Sequence, residues 1–159
     1  MTEAAGMWDD RDTSNCSIAR TLEVVGERWT FLILRELWYG SSRFSEIEQV
    51  LGCPRNLLAT RLRMLVEQGI VATVDYREPG ARTRQRYVVT AKGADLVPAV
   101  LAMMAWGDRY YADPEGPPVV VTHRGCGADL EVELRCTAGH HVDAADLHAI
   151  PGPGYRTKT

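Results

Sequence analysis

The sequence predicts a mainly α-helical chain with one β-hairpin, followed by a small β-rich C-terminal extension. Three observations carry this prediction. Around a helical wheel, Pro54 to Gly69 (PRNLLATRLRMLVEQG) sets Leu58, Leu62, Leu65 and Gly69 on one stripe and Asn56, Ala59, Thr60 and Arg63 opposite. Directly after Gly69 the hydrophobic period changes from helix to strand, with IVATVDYR and RQRYVVT flanking EPGART, whose Pro-Gly pair marks a turn. Before Pro54, a short amphipathic segment, SSRFSEIEQVL, leads into a Gly-containing turn. A short helix, a tight turn, a longer basic helix and a hairpin together make a winged helix-turn-helix.

Taken in order, residues 1–13 are polar and acidic and are expected to be disordered. SNCSIARTLEVVG places Ile18, Leu22 and Val25 at helical spacing and stops at Gly26. Arg28 to Tyr39 is a strongly apolar helix with Trp29, Ile33, Leu34 and Leu37 inward, Arg35 and Glu36 outward, and Gly40 at its end. The third helix turns Phe44, Ile47 and Val50 to the core, with Ser42 or Ser45 as N-cap and a capping box between Ser45 and Glu48. Pro54 suits the first position of the fourth helix, where its missing N–H costs nothing, and Gly69 suits its end. Thr90 then caps a long helix from Ala91 to Asp113 that Pro98 should kink. The expected division is a winged-helix and dimerisation domain over 14–112, a linker over 113–118, a β extension over 119–150 and a flexible tail over 151–159.

The formal charge of −3 speaks against a nucleic-acid partner only until it is located. Between Gly40 and Lys92 nine Lys and Arg face five carboxylates, so the centre carries +4 and the flanks −7. A basic centre between acidic ends fits a DNA-contacting face on a chain kept soluble elsewhere. On that reading the fourth helix offers Arg55, Asn56, Ala59, Thr60 and Arg63 to the major groove. The hairpin arginines Arg77, Arg82, Arg84 and Arg86 lie along phosphates or in the minor groove.

The long last helix is apolar nearly all round from Leu96 to Trp106, so it must bury more than one face. A second copy of the chain is the expected cover, with Leu101, Met104 and Trp106 as interface candidates. The opening residues lack the cationic start and apolar run of a secretory signal, and no apolar run reaches the roughly 20 residues a bilayer needs. A cytoplasmic chain without a membrane partner is expected, and its four cysteines are then thiols or metal ligands rather than a disulfide framework.

One ordered set of residues carries a family resemblance. It runs through Cys16-Ser17-Ile18, Gly26-Glu27-Arg28-Trp29-Thr30, Ile33 to Leu37, Gly40, Arg43 to Ile47, Leu58 to Leu65, Gly69-Ile70-Val71, Tyr87 to Thr90, Gly93 and Trp106-Gly107. Over about residues 14–112 it resembles the HxlR-type winged-helix transcriptional regulators, relatives of the MarR group. The resemblance implies a homodimer held by the N-terminal helix (Ile18, Leu22) and the C-terminal helix, bound to a palindromic double-stranded operator. Members repress or activate, and repression is the reading placed first; oxidants, electrophiles or small aromatic molecules are frequent effectors. Some members sense oxidants through a cysteine before the first helix. Cys16 holds that place, followed by Ser17 where the family often has Pro, with Arg20 one turn away. Cys53 is a second, lesser candidate.

In the extension, His123-x-x-Cys126 and Cys136-x-x-x-His140 have a spacing that admits a tetrahedral zinc site. Gly139 stands where a zinc ribbon would place a cysteine, so a small β appendage without cofactor is the first reading and zinc the second. Its strands are expected in VVVTH, DLEVEL and HHVDA, and an effector pocket against the dimer helices is a further option. Two rival functions remain: a winged helix serving as a protein-interaction module, and a zinc-dependent enzyme built on the Cys/His segment. The enzyme reading lacks an H-E-x-x-H carboxylate beside His140-His141, a Gly-rich phosphate loop and a nucleophile elbow. No catalytic residue is assigned.

Overall fold

A computed structural model describes residues 9–80 and 82–158. Residues 1–8 of the segment expected to be disordered, Ala81 and Thr159 of the expected tail lie outside the described residues. The chain forms two compact units, one of residues 25–132 and one of the described residues up to 24 together with those from 133 onward.

The larger unit is mainly helical and carries a two-stranded antiparallel hairpin, the architecture of a winged helix-turn-helix. Helix α1 (Ser17–Val25) contributes its last residue, Val25, to the buried set. Helix α2 (Arg28–Tyr39) buries Thr30, Ile33, Leu34 and Leu37, and Gly40 caps it by donating its N–H to Leu37 O at 3.2 Å. Glu36 of α2 corrects an expectation: it is buried, not outward. A buried carboxylate needs donors, and the Arg35 guanidinium supplies two, at 2.6 and 2.9 Å.

Helix α3 (Phe44–Leu51) and helix α4 (Arg55–Glu67) pack on α2 through Ile47, Leu58, Leu62 and Leu65, all fully buried. Val50, expected inward, stays exposed, because an eight-residue helix spans barely two turns and Ile47 alone faces the core centre. The N-terminus of α3 also differs from expectation: Arg43 is the N-cap and Ser45 lies inside the helix. The Glu46 carboxylate reaches back to accept the N–H of Ser42 and of Arg43, both at 2.9 Å.

Strands β1 (Val71–Tyr76) and β2 (Arg84–Val89) pair in the register Val71↔Val89 to Tyr76↔Arg84. Val71 is buried, so the face shared by residues 71, 73 and 75 and their partners 89, 87 and 85 turns inward at its base. The long helix expected from Ala91 is divided into α5 (Ala91–Ala94) and α6 (Val97–Tyr111). Pro98 explains the break, since within a continuous helix its ring would meet the carbonyl of Ala94; here it sits in the first turn of α6. At Gly93 of α5 the backbone passes so close to the Ile70 carbonyl and the Val89 side chain that a Cβ would collide with both.

In the smaller unit the chain ends meet. Asp12 donates its N–H to Arg156 O at 2.8 Å and Lys158 to Asp10 O at 2.7 Å. Where two or three short strands were expected in the extension, the described residues form isolated bridges, Thr122↔Asp129 in the larger unit and Arg135↔His141 in the smaller. Val119, Val120, Val132 and Leu134 are all exposed, so no apolar layer extends these bridges into strands.

The two N–H groups on Glu46, that of Arg43 foremost, hold its carboxyl below the usual carboxylate range. Because the folded value is lowered, the stabilisation is present at neutral pH and is lost as pH falls through it. Glu46→Gln should therefore lower stability by roughly 0.5–1 kcal/mol at pH 7. In urea titrations the gap to wild type should close toward pH 3; a gap unchanged by acid would show that the carboxylate does not cap α3.

Candidate nucleic-acid interface

The helix-turn-helix depends on a tight reversal after α3. Gly52 takes up a left-handed conformation (φ 58°) that a side chain would strain, and its N–H closes on Glu48 O at 3.0 Å. Pro54 lies one residue earlier than expected, as the N-cap of α4 rather than its first residue. Burial of Leu58, Leu62 and Leu65 then determines which side of α4 faces water, and that side carries Arg55, Asn56, Ala59, Thr60 and Arg63, all exposed. Thr60 Oγ1 donates to the Asn56 carbonyl at 2.9 Å, which keeps its hydroxyl against the helix. Arg61, half-buried at the margin, is drawn to Glu27 at 3.3 Å.

Two of these arginines are held by carboxylates. Arg55 Nη1 lies 2.8 Å from Glu48 Oε2, and its guanidinium sits over the Phe44 ring, 4.8 Å from the centroid. Arg63 Nε is 3.9 Å from Glu67 Oε1, and both side chains are about two-thirds exposed, so this pair is weak.

In the hairpin, Arg84 and Arg86 share a face with Tyr76 and Val74, opposite the face that buries Val71. Arg77, Arg82, Arg84 and Arg86 are exposed. The joint between hairpin and helices is a backbone bond from Tyr87 N–H to Ser42 O at 2.7 Å. Arg43, unassigned from the sequence, spans the same joint: Nη2 meets Glu78 Oε1 at 2.8 Å and the guanidinium lies over Tyr76 at 4.9 Å. Its partners are more than thirty residues away along the chain, so no local pattern announces it.

The other candidates lie elsewhere. Cys16 is half-buried, its N–H on Thr13 O and its carbonyl accepting from Arg20 N–H, each at 3.0 Å. Cys53 is buried in the turn before α4, and burial pushes its thiol up, away from the reactive thiolate. His123 Nδ1 and Cys126 Sγ approach to 3.2 Å in the larger unit; Cys136 N–H bonds His140 O at 3.0 Å in the smaller. Among the described residues no three His, Cys, Asp or Glu side chains are grouped to hold a metal ion. Ile18 and Leu22 of α1 are exposed. On α6, Trp106 is exposed against the rings of Tyr110 and Tyr111, with Met103 exposed nearby, whereas Leu101 and Met104 turn toward α2 and are half-buried. No helix among the described residues is long and apolar enough to cross a membrane.

Comparison with known proteins agrees with this geometry. Residues 24–115 match the HxlR-like helix-turn-helix family. The uncharacterised HTH-type transcriptional regulator Rv3095 of Mycobacterium tuberculosis (strain ATCC 25618 / H37Rv) is 44% identical over 143 residues, 89% of each chain. Among solved structures, PA1607, described as a candidate transcription factor, superposes with TM-score 0.77 at 33% identity, covering 87% of this chain and 96% of its own. The redox regulator HypR in its oxidised form gives TM-score 0.56 at 28% identity, covering 62% of this chain and all of its own. The chain is an HTH-type transcriptional regulator and belongs to the HxlR-like helix-turn-helix family.

Proposed function

We propose that two copies of this chain bind a palindromic operator in the cytoplasm and repress transcription, releasing DNA in response to an effector. The observation that carries the reading is the outer side of α4, which sets Asn56, Thr60 and Arg63 in the open beside a hairpin whose outward face bears Arg84 and Arg86. Asn56, Thr60 and Arg63 read base edges, with Ala59 as apolar contact; Arg55 and the hairpin arginines hold phosphate or minor groove. In this reading DNA binding and dimerisation belong to residues 14–112, residues 113–118 link them to the extension, and the chain is not an enzyme. Exposed apolar side chains support the second copy: Ile18 and Leu22 on α1, and Met103, Trp106 and Tyr110 on α6. Met103 and Tyr110 replace Leu101 and Met104 in that role, since the latter two face α2.

The test is binding to the DNA upstream of the gene by fluorescence anisotropy across a salt series. Arg63→Ala should lose roughly 1–3 kcal/mol of discrimination at one base pair; retention of full operator preference would mean that another side of α4 faces the groove. Arg84→Ala should weaken all DNA about equally and reduce the slope of log K against log salt by about 0.9. An unchanged slope would remove Arg84 from the phosphate contacts.

Similarity to a redox regulator favours oxidant or electrophile as one effector, with Cys16 as the responsive thiol and Cys53 set aside by its burial. Oxidant should release wild-type protein from the operator and leave Cys16→Ser bound. Equal release of both would place the sensor elsewhere.

A further inference from the structure

The hairpin that carries Arg77, Arg82, Arg84 and Arg86 is attached to the helices at its base. Val71 is buried, and Tyr87, paired with Thr73, donates its N–H to Ser42 O. Beyond that rung each strand runs on for three residues, about 10 Å, with Val74, Asp75, Arg84, Gln85 and Arg86 all exposed. A two-stranded ribbon without a packed face is marginal in water, so this outer half needs a tie of its own.

Arg43 supplies that tie from the start of α3. Its Nη2 lies 2.8 Å from Glu78 Oε1, and its guanidinium covers the ring of Tyr76, the last residue of β1. Tyr76 is half-buried where its neighbours Asp75 and Arg77 are exposed. Nε stays 3.5 Å from Glu46 Oε1. The same carboxyl group holds the backbone N–H of Ser42 and of Arg43, so the root of the arginine side chain is fixed. One planar cation thus serves a carboxylate of its own helix, a carboxylate of the hairpin and an aromatic face, a combination that suits arginine and not lysine. The next residue, Phe44, meets the Arg55 guanidinium of α4 at 4.8 Å. Adjacent side chains at the start of α3 therefore reach two elements, the hairpin and α4.

We infer that Arg43 is the positioning residue of the hairpin, clamping its outer half through Glu78 and Tyr76 so that the hairpin arginines stand at a fixed distance from α4. The clamp gives Glu78 a purpose. A carboxylate between Arg77 and Arg82 repels phosphate, and what it supplies in return is the hold on Arg43. The clamp is independent of what the hairpin touches; its consequence for DNA rests on the reading that α4 and the hairpin meet one duplex together. A loose hairpin must be ordered when it binds, and that cost weakens every contact its arginines make.

Two measurements on the full chain test the clamp, with the variants Arg43→Ala, Arg43→Lys and Glu78→Ala. The side chains of Arg43 and Glu78 are 41% and 50% exposed, so their pairing adds little to global stability and all three variants should fold. In the free protein, amide exchange at residues 74–76 and 84–86 should be about fivefold faster in both alanine variants, with α4 unchanged. Arg43→Lys, which keeps the charge and gives up the flat face over Tyr76, should fall between them and wild type. Exchange at wild-type rates in both alanine variants would overturn the clamp. Against the DNA upstream of the gene, each alanine variant should bind about fivefold more weakly, and the double variant no more weakly than Arg43→Ala. Were Arg43 a phosphate contact instead, Glu78→Ala would remove a repelling charge and tighten binding, which would equally overturn the proposal. Faster exchange with wild-type DNA affinity would leave the clamp standing and remove the hairpin from the regulator reading.

Discussion

The larger unit depends on one apolar packing, that of α4 on α2, in which Leu58, Leu62 and Leu65 of α4 and Ile33, Leu34 and Leu37 of α2 are buried. Each of these six side chains is almost wholly removed from water, and full burial of a leucine or isoleucine contributes about 1.5–3 kcal/mol. The direction of that burial matters more than its size. A helix has one angular degree of freedom about its axis, and three leucines at positions 58, 62 and 65 remove it. Asn56, Thr60 and Arg63 are thereby aimed outward by residues that are themselves buried in the core.

The helix-turn-helix and the hairpin were legible because each is written in local periodicity. The leucine stripe of α4, the change to period two after Gly69 and the Pro-Gly turn all act within a few residues, and the structure shows them. What was not legible came from long-range pairing or from end effects. Glu36 reads as outward until the half-buried Arg35 guanidinium is seen to cover its carboxylate. Val50 reads as core by spacing, but α3 is too short to bury more than its centre. Arg43 belongs to the joint with the hairpin through Glu78 and Tyr76, partners no window of sequence could supply. The serine-rich start of α3 suggested a serine cap, whereas Glu46 serves its backbone from within the helix.

The last helix is apolar on two sides that differ in exposure. Its apolar girth demanded cover on more than one side, and two kinds of side emerge: Val100, Leu101 and Met104 toward α2, Met103, Trp106 and Tyr110 toward water. The wheel alone cannot tell which side meets its own subunit, because both are equally apolar. Pro98 divides α5 from α6, and the segment before it is tied to residues 68–70 and to the hairpin through Thr90, Lys92 and Gly93.

The pairing of Arg55 with Glu48 has a thermodynamic consequence. An arginine already neutralised by its own protein carries a tethered counterion. If Arg55 holds a phosphate as proposed, that phosphate takes the place of the carboxylate, and Glu48 is left charged at the edge of a polyanion and recruits a cation from solution. One of the ions freed from the DNA is thus recaptured, and the entropy that drives indiscriminate attachment to any duplex is reduced. In the proposed reading Glu48 thus works against loose adhesion along the DNA, and a site that also satisfies the side chains proposed to read bases offsets its repulsion.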